Sequence, residues 1–129
     1  MMSKVTSPSS SHNKPFDICE RTFQFAIRIV NFCKKLDQKP GAIWILSKQL
    51  LRSGTSIGAN VEEGQAGQSR PDFIAKYSIA RKEARETAYW LRLVSATMRD
   101  HQPEIEELLD ETGQLIKILT TIIKNARGM

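Results

Sequence analysis

The feature that most restricts how this chain can fold is a long apolar seam near its middle. Phe73, Tyr77, Ala80, Ala84, Thr87, Leu91, Val94 and Met98 recur at alternating steps of four and three. Such steps hold side chains on one face of an α-helix, whereas a half-buried strand needs a step of two. A helix with one apolar stripe must bury it against something, so the rest of the chain has to supply partners. It supplies them in kind. Between about Asp17 and Asp37, Ile18, Thr22, Phe25, Ile29, Phe32 and Leu36 step the same way, with Cys19, Phe23, Ala26, Val30 and Cys33 as a parallel stripe. From Pro103 to about Ala126 the series is Ile105, Leu108, Thr112, Leu115, Leu119, Ile122 and Ala126.

The remaining helix, from about Ala42 to Glu62, is less regular. Its first half (AIWIL) is apolar all round, which makes it either the most buried segment or part of a subunit interface. Its second half holds Leu50, Leu51, Ile57 and Val61 at helical spacing but inserts Gly54 and Gly58. Each interior glycine costs a helix about 1 kcal/mol relative to Ala. Two of them on one face predict close approach of a neighbouring backbone, and Ala80 and Ala84 in the long seam are the natural counterpart. Asn60, Glu62 and Glu63 are structural polar residues of the same segment. Carboxylates in a last helical turn oppose the macrodipole, so either the helix runs past Glu62 and Glu63 or a base such as Arg52, Arg70 or Lys76 offsets them.

Turns separate the segments: Gln38–Gly41 (QKPG), Ser69–Asp72 (SRPD) and Asp100–Pro103 (DHQP). Ser69 suits an N-cap, with Pro71 and Asp72 in the first turn. Short connections between helices give an all-α, up-down-up-down antiparallel four-helix bundle over residues 16–129. Residues 1–15, rich in Ser and Pro, read as a disordered tail. They lack the apolar core of a signal peptide, and no apolar run reaches the ~20 residues of a membrane span. The expected location is therefore the cytoplasm, with no membrane contact. Cys19 and Cys33 sit too far apart along one helix to bridge and read as buried-type thiols.

The run Leu50–Gly64 (LLRSGTSIGANVEEG), followed by Asp72–Leu93 (DFIAKYSIARKEARETAYWLRL), resembles the small four-helix-bundle proteins encoded in intervening sequences of bacterial 23S rRNA genes. The accessory proteins of diversity-generating retroelements are similar too. The likeness covers roughly residues 16–124. It implies a homopentameric bundle with a basic surface and no catalytic centre, and a partner such as a reverse transcriptase in the retroelement case.

Chemistry-bearing constellations are sparse. Two histidines, His12 in the tail and His101 in a turn, cannot supply the paired Glu-x-x-His ligands of a bundle di-metal site. The Arg, four to six residues, then His signature of HEPN-class helical ribonucleases is absent, since positions 94–96 are Val94, Ser95 and Ala96. No phosphate loop or nucleophile with a His partner is present. No enzyme, no metal and no cofactor are expected. The chain carries 19 Lys and Arg against 14 Asp and Glu, and six of those acids crowd between Asp100 and Glu111, so the remainder is strongly basic and suited to polyanions. Arg81, Arg85, Arg92 and Arg99 fall on one narrow arc of the long helix, with Tyr89 between two of them, and no acid lies three or four positions from any. Two readings are open. Guanidinium forks suit phosphate oxygens and a Tyr face can stack a base, which points to RNA or DNA; alternatively the row pairs across subunits of a homo-oligomer. Lys48, Arg52 and Arg28 are candidates to extend the basic surface.

Overall fold

The computed structural model describes residues 17–128. Four helices follow in order: α1 (Ile18–Lys35), α2 (Ala42–Gln65), α3 (Arg70–Thr97) and α4 (Gln102–Arg127). The expected tail, residues 1–15, lies outside the described residues. The connections leave no room for anything but antiparallel neighbours, and the result is an all-α four-helix bundle. Local chemistry sets the helix starts. The Asp17 carboxylate accepts from the Glu20 amide at 3.2 Å, and the Ser69 hydroxyl accepts from the Asp72 amide at 3.2 Å. His101 opens α4 in the left-handed region (φ 65°), its ring edge-on to Phe32 at 6.0 Å. Among the described residues no helix is long and apolar enough to cross a membrane.

Each helix packs broadly on the next, but α1 and α4 touch sparingly. That last edge is closed largely by charge. Arg21 donates through Nε and Nη2 to the two oxygens of Glu111 at 2.7 and 2.8 Å and reaches Gln114 at 2.7 Å, and Lys35 Nζ lies 2.8 Å from Glu104. The seams point inward: Phe25, Ile29, Phe32, Leu50, Ile57, Tyr77, Leu91, Leu108, Leu115 and Leu119 are essentially inaccessible. Burial pushes the Cys33 thiol and the Tyr77 phenol above their ordinary pKa values, and does the same to Cys19.

Two details differ from the sequence expectation, and two readings left open there are narrowed. The last buried isoleucine of α4 is Ile123, with Ile122 only half-buried. The AIWIL segment is not the most buried: none of its residues is fully buried and Ile45 is 55% exposed. The partner of Gly54 and Gly58 is α1, not Ala80 and Ala84. A Cβ on Gly54 would lie 2.8 Å from Ile29 Cγ2, and one on Gly58 would lie 3.2 Å from the Thr22 carbonyl oxygen. Ala80 and Ala84 are buried in the core seam of α3. Finally, both alternatives offered for Glu62 and Glu63 hold: α2 continues past them to Gln65, and Lys76 of α3 pairs with Glu63 at 2.8 Å. Asn60, partly buried, donates to the Ser56 carbonyl one turn back at 2.8 Å. Near that end Gly64 makes room for the Tyr77 ring, where a Cβ would fall 2.7 Å from Cδ1.

Candidate nucleic-acid interface

The core seam divides α3 into two flanks with opposite electrostatics. The flank facing α2 holds Glu83 and Glu86, and Arg52 of α2 spans both, at 3.3 Å from Glu83 and in direct contact with Glu86. Glu86 also accepts from the Trp90 indole N–H at 3.0 Å. Buried between the two helices, the hydroxyls of Thr87 and Ser53 are hydrogen-bonded at 2.9 Å. Glu83 and Glu86 are thus consumed in holding α2.

The flank facing α4 carries the arginine row. Arg81 donates to the Thr120 hydroxyl at 3.5 Å and is partly buried, while Arg85, Arg92 and Arg99 are exposed. No ion pair among the described residues includes any of the four. The row is held in place by its helix and not by carboxylates.

Between α3 and α4 the row borders an open groove of about 370 Å³ lined by Tyr89, Arg92, Leu93, Ser95, Ala96 and Leu109. Tyr89 is 53% exposed, and its ring stands edge-on to Trp90 (5.2 Å, 72°). Because Trp90 is tied to Glu86, and Glu86 to Arg52, the tyrosine is braced from below by the opposite flank of its own helix. A second hollow at the end of α3 is lined by Ser95, Ala96, Met98, Arg99 and Gln102. Gln102 closes it by donating to the Ser95 and Met98 carbonyls at 3.1 and 2.6 Å, which fixes the α3–α4 turn and so the position of Arg99.

The arrangement brings together Arg85, Tyr89, Arg92 and Arg99, with Arg81 deeper at one end. Lys48, Arg52 and Arg28 do not extend this surface. Lys48 lies over the Trp44 ring at 4.3 Å, Arg52 is paired with two carboxylates, and Arg28 lines an acidic groove with Glu106, Glu107, Asp110 and Glu111. Sequence reasoning missed instead the contribution of α4. The contacts Arg81–Thr120 and Ser95–Gln102 set the antiparallel register, and helical periodicity then places exposed Lys117 and Lys124 along α4 toward the Arg81 end of the row, roughly 12 and 22 Å along the axis from the groove residue Leu109. Their steps from Thr120, three back and four on, were visible; the register that gives them meaning was not. Among the described residues no group of three or more His, Cys, Asp or Glu is placed to hold a metal ion.

Comparison with known proteins gives consistent results. The family model described as 23S rRNA-intervening sequence protein matches residues 14–121. A solved structure from Bacteroides thetaiotaomicron VPI-5482, described as a protein of unknown function from the S23 ribosomal protein family, is 45% identical. It covers 83% of this chain and 95% of its own length, with a TM-score of 0.76. No curated protein matches the sequence. Neither match carries the similarity to retroelement accessory proteins.

Proposed function

This chain belongs to the 23S rRNA-intervening sequence protein family, and from that premise we propose that it is a non-enzymatic, oligomeric bundle that binds structured RNA, or nucleic acid more broadly, through phosphates. The observation that carries the reading is the row Arg85, Arg92 and Arg99, exposed beside an open groove and without a carboxylate partner among the described residues. Guanidinium groups so placed offer bidentate contacts to phosphate oxygens. Binding of this kind is driven by counterion release, so affinity falls steeply with salt. In a fluorescence-anisotropy titration across ionic strengths, Arg85→Ala with Arg92→Ala should weaken binding to every sequence and reduce the salt slope by roughly 0.7 to 0.9 per lost phosphate contact. Unchanged binding with a dissociated assembly would assign the row to a subunit interface.

A second observation supports the oligomer and the alternative reading, a scaffold that docks a partner such as a reverse transcriptase. Phe23 and Ile27 of α1 and Ile45 and Leu51 of α2 expose between 38% and 55% of their surface, more large apolar surface than a bundle gains by leaving wet. We read these exposed side chains of α1 and α2 as contacts between subunits. Light scattering reports the subunit number, for which five is the value the family resemblance implies, and Phe23→Glu with Leu51→Glu should lower it.

A further inference from the structure

Four glycines sit within the helices at a cost in helix stability: Gly54, Gly58 and Gly64 in α2 and Gly113 in α4. The first three are explained by packing, since a Cβ on any of them would lie within 3.2 Å of an atom of Ile29, Thr22 or Tyr77. Gly113 is different. An added Cβ there would meet nothing within 4 Å, so no neighbour requires its absence. Gly113 follows Leu109 by one turn on the α3-facing flank of α4. The register set by Arg81–Thr120 and Ser95–Gln102 places it opposite the stretch between Arg85 and Tyr89. Gly113 does not itself line the groove, which reaches α4 at Leu109, but the register puts the open space at Gly113 one turn beyond it, on the Arg85 side of Tyr89.

The chemistry of the groove is specific. Its floor is apolar (Leu93, Ala96 and Leu109), one wall is an aromatic ring, and the rim is guanidinium. The ring is pre-set: Tyr89 rests edge-on against Trp90, and Trp90 is tethered to Glu86. Half of the Tyr89 surface remains open. A planar, partly polar group with a phosphate attached on either side satisfies all three features, and a small apolar ligand would satisfy the floor alone. We propose that this groove is a site for a single unpaired nucleobase, stacked on Tyr89 above the shelf left by Gly113, with the flanking phosphates on Arg85 and Arg92. The site rests on the nucleic-acid reading above and narrows it: a duplex keeps its bases stacked, so the preferred substrate is single-stranded or bulged RNA.

The test compares two fluorescein-labelled probes, an oligoadenylate of about 12 nucleotides and a blunt RNA duplex of equal length, against the full chain. Tyr89→Leu and Gly113→Leu should each weaken the single strand roughly tenfold or more, the usual range for loss of one base–aromatic stack, and leave the duplex unchanged. Thermal unfolding of each variant controls for folding, and the open space at Gly113 accommodates the leucine. If both variants bind the strand as the unmodified protein does, the base site is refuted and the phosphate reading survives. Failure of the unmodified protein to bind either probe refutes both. A fall in subunit number with Tyr89→Leu at a constant strand-to-duplex ratio assigns the ring to a subunit interface and also refutes the site.

Discussion

Replacing Gly54 or Gly113 by alanine should move stability in opposite directions, although both sit inside helices and the substitution is the same. At either position the alanine helix is favoured by about 1 kcal/mol. For Gly113 nothing opposes that gain, because the new methyl meets open space. For Gly54 the methyl would fall 2.8 Å from Ile29 Cγ2, 2.9 Å from Cγ1 and 3.3 Å from Cβ. These atoms lie at the root of a fully buried side chain, and a β-branched residue in a helix has one preferred χ1 rotamer. Rotation cannot relieve the contact, so α1 itself must move away, which also loosens the close packing of Gly58 on Thr22. Overpacking of this kind costs about 1–3 kcal/mol, and a clash at the root of a buried β-branched side chain puts Gly54 in the upper half of that range. The net expectation is a loss of about 1–2 kcal/mol for Gly54→Ala and a gain of about 1 kcal/mol for Gly113→Ala. At roughly 3–5 °C per kcal/mol for a domain of this size, the melting temperatures should differ by about 10 °C. Circular dichroism and urea unfolding at one fixed protomer concentration measure it, since association makes the midpoint concentration-dependent. If Gly54→Ala proved as stable as Gly113→Ala, the claim that α1 and α2 meet backbone to side-chain root would be wrong.

Two further outcomes follow from the thin α1–α4 edge and from the buried acids of the core. Arg21→Met removes a bidentate, partly buried ion pair and should cost about 1–2 kcal/mol after allowance for its solvent exposure, whereas Lys35→Met, at an exposed pair, should cost under about 1 kcal/mol and nothing at high salt; urea midpoints at two ionic strengths separate them. Burial holds Cys19, Cys33 and Tyr77 in their neutral forms with raised pKa values. Their stabilisation is therefore complete below the unfolded thiol and phenol values, about 8.5 and 10, and is lost as pH climbs from there through the folded values; stability that stayed flat between about pH 8 and pH 11 would contradict it.

The fold was readable because the seams are periodic, and the errors arose where period alone is insufficient. Ile122 was expected inside by continuing a strict step of 3.5 from Ile105. A straight helix turns every 3.6 residues and drifts about 20° per heptad, which after five steps brings Ile123 to the core instead. Small residues at Gly54 and Gly58 announced a close approach but not its direction, because α2 has a neighbour on each side and a missing side chain favours neither. For AIWIL the composition said only that apolar surface existed; whether α1 or α3 covers it depends on where those helices end. In the same way the absence of acids three or four positions from each arginine was visible in the sequence, but that Glu83 and Glu86 turn the other way toward Arg52 requires the bundle. Gly113 carried no signal of its own, and only the empty space around it sets it apart from Gly54.

The division of α3 into a paired flank and an unpaired one is itself testable as a cost. Arg81 and Arg85 are four residues apart, and like charges at that spacing destabilise a helix by about 0.2–0.5 kcal/mol. Arg85→Glu replaces that repulsion by attraction to Arg81 and brings Lys82, three residues back, into range as well. The gain should be roughly 0.5–1 kcal/mol at low ionic strength, and it should shrink towards zero at about 1 M salt, where the Debye length is about 3 Å. Glu86 is no obstacle, because adjacent positions on a helix do not face one another and its carboxylate already holds Arg52 and Trp90. A variant that is more stable yet loses RNA binding would show that the row is maintained against the interest of the fold. The opposite result, destabilisation of the assembled protein by Arg85→Glu at low salt, would mean that a carboxylate of another subunit already occupies this guanidinium, and the nucleic-acid reading of the groove would fall with it.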